Sequence, residues 1–173
     1  MIALVPIGNV DKEFLEALRP PLEDVFGQRT RVGDGVELPG EGWNRDSSQH
    51  LASSLLAALS PSPHSGDTVL GVVNVDIFAP GLNFVFGQAD ITGKRALISL
   101  QRLRQELYGL PQDENLFRQR ALKEAVHELG HTYGLGHCPD RTCVMHFSNS
   151  LPDTDLKGWK FCSVCNEKVS RKQ

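Results

Sequence analysis

Apolar residues recur along this chain with two spacings, one suited to strands and one to helices. Residues Ile2–Ile7 form a short apolar run ending at Gly8, the pattern of a buried strand. Asp11 stands where a helix cap would, ahead of Phe14, Leu15, Leu18, Leu22, Val25 and Phe26 at helical spacing. Pro20 and Pro21 fall inside that pattern and are expected to kink or interrupt it, since proline lacks the amide donor and clashes with the preceding turn. Residues 29–32 read as a second strand and the glycine-rich stretch 33–42 as a loop. That loop lacks the Gly-Lys-Ser/Thr ending of a phosphate loop, so no nucleotide site is expected there. Asp46, Ser47 or Ser48 caps a second helix with Leu51, Leu55, Leu56 and Leu59 on one face, closed by Ser60-Pro61-Ser62-Pro63. This helix is expected to cover a sheet, and His50 and His64 to face solvent.

Residues 68–77 carry the strongest strand signal, nearly continuous and β-branched, as in a buried central strand. Segments 82–89 and 96–100 follow as strands, and the turn-like 90–94 between them suits a hairpin. After an irregular stretch from 103, Asp113 caps a helix over about 114–133. Beyond Gly134 the periodicity disappears while Gly, Cys, Pro and Asp increase. The expected organisation is a main unit over 1–134 and a small C-terminal subdomain over 135–173, within one α/β (α+β) domain.

Composition narrows the class. A chain of 173 residues with 40% apolar and 23% charged residues can build a core and is not disordered. Its net charge of -3 gives no electrostatic case for nucleic acid. No apolar run approaches a membrane span, and the first residues read as a strand without a basic leader. The expectation is a cytoplasmic, monomeric protein whose four cysteines are poor disulfide candidates.

The chemistry concentrates in His127-Glu128-Leu129-Gly130-His131-Thr132-Tyr133-Gly134-Leu135-Gly136-His137. Histidines four apart on a helix share a face and can share a zinc ion, while Glu128 is placed to take a proton from a zinc-activated water. Gly134 can adopt positive φ, end the helix and bring His137 back as a third ligand. Three protein ligands leave one tetrahedral position open, as in a catalytic site. On the helical wheel Leu122, Ala125, Val126 and Leu129 form the core stripe, so His127 and His131 face a cleft; Tyr133 falls on the apolar side.

Cys138 and Cys143 have four residues between them, Cys162 and Cys165 two. Both spacings suit a closed four-thiolate zinc site, which would stabilise a subdomain too small to fold on its own core. Two disulfides, buried free thiols or a redox pair are the other readings of the same cysteines. Because Cys138 directly follows His137, two metal sites here would be mechanically coupled.

The elongated histidine motif, followed by Cys143-Val144-Met145, resembles the metzincin clan. With Cys138, Cys143, Cys162 and Cys165 added, it is similar to the archaemetzincin family, and the likeness extends upstream to 80–89 and 123–126. The 16 residues between Met145 and Cys162 are about one fewer than in the family pattern, which touches a loop and no ligand. The resemblance implies a zinc metallopeptidase holding two zinc ions per chain. His127, His131 and His137 would hold the catalytic zinc, Glu128 would act as general base and acid, and the four cysteines would hold a structural zinc. Met145 would form the methionine turn, although its position also fits a plain core methionine. The implied fold is a mixed, twisted five-stranded sheet over two long helices, with an antiparallel edge strand along the cleft. That edge is expected at Asn83, Phe84, Val85, Phe86, Gly87 and Gln88, where a peptide substrate could add as a strand. His146 is expected to be structural or exposed. Restricted or aminopeptidase-like specificity, and a non-hydrolytic zinc-binding interaction module, are the competing functional expectations.

Overall fold

Two apolar clusters, one on each face of a central sheet, set the architecture of the computed structural model, which describes residues 1–59 and 67–172. In β1 (Ile2–Ile7), Ile2 and Leu4 join one cluster and Ile7 the other, as alternating strand side chains must. β5 (Thr68–Val73) lies parallel beside β1 and divides likewise, with Leu70 and Val72 against Val69 and Val73. β2 (Thr30–Val32) flanks β1 in parallel, β8 (Arg95–Ser99) flanks β5 in parallel, and β7 (Gly87–Asp90) closes the sheet antiparallel to β8. The order is β2-β1-β5-β8-β7. Both faces are covered, which is why the central strands read as continuous apolar runs.

The helices α1 (Lys12–Phe26) and α3 (Glu114–Thr132) bury their apolar stripes in one cluster, and α2 (Ala52–Ala58) buries its own in the other. Asp11 caps α1 through the Glu13 amide, and Gly27 ends it at φ 60°. Contrary to expectation, Pro20 and Pro21 do not interrupt α1. The carbonyls that lose a partner belong to Glu16 and Ala17, both exposed to water, while Phe14, Leu15, Leu18, Leu22 and Phe26 stay buried on both sides of the prolines.

Other expectations change through contacts distant in sequence. Residues 49–51, expected in the second helix, form β4 (Gln49–Leu51), which pairs with β3 (Trp43–Asn44) and β6 (Ile77–Phe78) in a small second sheet. Ser48 takes φ 55°, which no helix start accommodates, and α2 has no side-chain cap. His50 is therefore buried against the Trp43 ring rather than solvent-facing. The expected closure at 60–63 and His64 lie outside the described residues.

The strand expected over 68–77 ends at Val73, and Ile77 belongs to the second sheet. Between them Asp76 is gripped by Arg102 through two bonds of 2.6 Å each, which draws the chain out of the ladder. The strand expected from 82 starts only at Gly87, because the Asn83 carbonyl is taken by Gln49 Nε2 at 2.9 Å. The β7–β8 hairpin forms as expected, its turn held by Asp90, which accepts from the Thr92 and Gly93 amides.

After α3 the chain adds α4 (Leu151–Leu156) and α5 (Ser163–Ser170). Leu135, Val144, Met145, Leu151 and Val169 pack into the same cluster as α1 and α3. No helix among the described residues is long and apolar enough to cross a membrane.

Candidate metal centres and substrate cleft

The site begins with the placement of α3. Its Asp113 cap accepts from the Leu116 amide at 2.9 Å, and Ala125, Val126 and Leu129 seat it on the sheet. The remaining face carries His127, Glu128 and His131 into a cleft of about 370 Å³. Thr132 is the last helical residue; Gly134 turns at φ 78° and His137 returns to the same cleft.

The ligand atoms of His127, His131 and His137 all lie within 4.8 Å of one another. His127 Nδ1 donates to the Val144 carbonyl and His131 Nδ1 to the Leu135 carbonyl, each at 2.8 Å. A backbone carbonyl can only accept, so these bonds place the ring proton on Nδ1 and leave Nε2 with its lone pair. The two Nε2 atoms stand 3.1 Å apart. Burial, helped by nearby Lys157, pushes the His127 ring down to about 2, and burial also lowers His131 and His137. Three neutral imidazoles with converging lone pairs fit a zinc ion bound on three sides.

Glu128 lies beside them, and burial holds its carboxyl well above the usual carboxylate range; Glu124 adds to this and Lys157 opposes it. A Cβ at Gly87 would stand 2.5 Å from Glu128 Cγ, so β7 approaches the glutamate as closely as only glycine allows. Next to His131 on α3, a Cβ at Gly130 would stand 2.5 Å from the sulfur of fully buried Met145. Gly130 costs α3 about 1 kcal/mol in helix propensity but leaves room for that methionine.

The thiols of Cys138, Cys143, Cys162 and Cys165 form a second group within 4.8 Å. All four are free thiols, which removes the disulfide reading. Cys162 stands at the N-cap position of α5, and the Cys165 amide lowers its thiol pKa; burial raises Cys143 and Cys165. Cys138 N–H donates to the Met145 carbonyl at 2.9 Å, and the Cys138 carbonyl accepts from His146 Nδ1 at the same distance. His146 therefore braces the turn from outside the motif.

Of the six residues expected along the edge, Phe84, Val85, Phe86, Gly87 and Gln88 line the cleft, and Asn83 does not. The edge strand itself is β7, shifted towards Ala89 and Asp90. The Ser99 amide donates to the Phe86 carbonyl, so by alternation Gln88 also bonds to β8 while Gly87 and Ala89 turn their backbone groups to the open side. Sequence reasoning missed Glu124, Phe147, Ser148 and Asn149 as lining residues. Glu124 alone left a signal, four residues before Glu128 on the same helical face.

A helix-borne histidine pair with its glutamate, a glycine turn to a third histidine and a methionine buried against the same helix define a metzincin-type zinc peptidase. The model of peptidase family M54 matches residues 60–171. The archaemetzincin of Methanocaldococcus jannaschii is 46% identical over 168 residues, covering 97% of this chain and 92% of that protein. The Methanopyrus kandleri archaemetzincin crystal structure superposes with a TM-score of 0.86 at 37% identity, covering 99% of this chain and 94% of that one. That of Archaeoglobus fulgidus, complexed with malonate, gives 0.84 at 36% identity, covering 97% and 99%. The chain belongs to the archaemetzincins, peptidase family M54, a family of zinc metallopeptidases.

Proposed function

We propose that this chain hydrolyses peptide bonds, with His127, His131 and His137 holding the catalytic zinc and Glu128 acting as general base and acid. Cys138, Cys143, Cys162 and Cys165 hold a second, structural zinc in this reading, and Met145 supports the histidines from below. Held by His127, His131 and His137, a zinc ion would supply Lewis acidity, lowering the pKa of a bound water towards about 7 and polarising the scissile carbonyl.

The chain's own residues supply the rest. The peptide lies extended on β7, bonded to the outward backbone groups of Gly87 and Ala89, and antiparallel because that ladder is the more stable per residue. The Glu128 carboxylate takes the proton of the attacking water as its oxygen bonds to the carbonyl carbon. It returns that proton to the leaving nitrogen as the C–N bond breaks. Burial favours the protonated carboxyl and thereby helps Glu128 hold the proton between the two events.

The observation that carries this reading is the contact between Gly87 and Glu128, which brings an open strand edge against the glutamate beside three convergent imidazoles. The test compares zinc-loaded wild type with Glu128→Ala on a mixed peptide library, with zinc measured on the same samples. Turnover is expected to fall by about 100-fold or more with zinc retained. Wild-type rates from the variant would refute the assignment of Glu128. Full zinc loading without any cleavage by wild type would favour a binding module.

A further inference from the structure

We infer that Glu124 is a specificity-determining residue, selecting a long side chain with a hydrogen-bond-donating head at the substrate position that follows the scissile bond. The inference rests on the peptidase reading above and concerns the same cleft.

Glu124 sits one turn before Glu128 on α3, lines the cleft and is 3% exposed. Its Oε1 pairs with the Nζ of buried Lys157 at 3.1 Å and accepts from Thr154 Oγ1 at 3.3 Å. Among the described residues Oε2 has no such partner. One oxygen is thus anchored, and because Glu124 lines the cleft Oε2 is the acceptor left for a ligand seated there. The Ser148 hydroxyl, in the same lining, is buried and has no hydrogen-bond partner among the described residues. Phe84 and Phe147 add apolar wall.

Such a pocket carries a polar floor under apolar sides. A purely apolar side chain seated there would strip water from Oε2 and leave Ser148 Oγ without a partner, and a carboxylate would meet a second carboxylate. An aliphatic stem ending in an amine, guanidine or amide satisfies both walls and floor. The direction follows from β7, which runs from Gly87 to Asp90, away from Phe84. Glu124 lies on the Phe84 side, since Arg120, one turn before it, bonds to the Leu103 carbonyl and the adjacent Arg102 lies over the Phe84 ring; an antiparallel peptide runs towards Phe84, so the residue after the scissile bond is the one that reaches Glu124.

The test uses four peptides that differ only at that residue: Lys, Gln, Met and Glu, all long and unbranched. With zinc-loaded wild type, kcat/KM for Lys and Gln is expected to exceed that for Met by about tenfold, with Glu slowest. Glu124→Gln keeps the volume but leaves Lys157 as the local charge, so the Lys-to-Glu ratio falls by about tenfold or inverts. If that variant fails to fold, the double variant Glu124→Gln/Lys157→Met removes both charges, and the ratio falls towards one. A wild-type preference for Met, or an order unchanged in the folded variants, overturns the inference. Dissociation constants of the same peptides on zinc-loaded Glu128→Ala read the selection without turnover. The expected order in binding with no cleavage by wild type would sink the hydrolytic reading and leave Glu124 as the selector of a bound peptide's side chain. Cleavage without the order sinks this one alone.

Discussion

The two candidate metal centres end on neighbouring residues, His137 and Cys138, and are built by opposite means. The histidine centre is prepared by the protein alone. A capped helix carries two of its ligands, backbone carbonyls set their tautomers, and burial keeps the rings neutral. The cysteine centre is assembled from loops and the start of α5, and burial holds Cys143 and Cys165 towards the protonated thiol. In the proposed reading a metal draws off those protons and closes the structure. The lesson is a division of labour. On the proposed assignment, an open centre on a rigid scaffold can exchange its metal and leave a coordination position for water, whereas a closed centre would be part of the fold.

The strongest way to break this comparison is to remove the second centre. Cys162→Ser/Cys165→Ser is expected to lose one zinc per chain and about 5 kcal/mol or more of stability, read by metal analysis and thermal unfolding. Because the Cys138 amide is tied to the Met145 carbonyl and His137 precedes it, zinc affinity at the histidines should also weaken by about tenfold. Unchanged affinity in the double variant would show the two centres to be independent.

A gentler separation is chelation. A chelator titration is expected to remove one zinc first, abolishing cleavage while the thermal midpoint stays nearly constant, with activity recovered on adding zinc. Loss of both ions together, with unfolding, would contradict the open-against-closed distinction.

The smallest effect is the pH dependence of the metal-free chain. The folded state holds His127 at about 2 and lowers His131 and His137, below their ordinary value of 6.5. The unfolded chain therefore binds more protons below about 6.5, so stability is full above that pH and falls as pH drops through it. Glu128, raised by burial, opposes this with one proton against three above its ordinary 4.5. The thermal midpoint should decline from pH 6.5 to 5, and a flat profile would contradict the buried, neutral histidine set.

Much of the centre was legible in the chain because its determinants are local. Two histidines four apart, Gly134 two residues beyond the helix end, and Cys138 adjoining His137 need only helix geometry and glycine's access to positive φ to be interpreted. The strand runs of β1 and β5, the Asp113 cap and the turn before β8 likewise carry their structure in short windows.

Tertiary structure decided what depends on partners far along the chain. Gln49 bonds across to Asn83, and Arg102 reaches back to Asp76; together these moved residues 49–51 out of a helix, cut the strand expected over 68–77 at Val73 and delayed the edge strand to Gly87. The burial of Lys157 beside Glu124 had no sequence signature, because 32 intervening positions must first fold to bring them together. Periodicity is a property of one segment and specifies which face is apolar. Which segment meets that face is a long-range choice, made by the packing of the whole core.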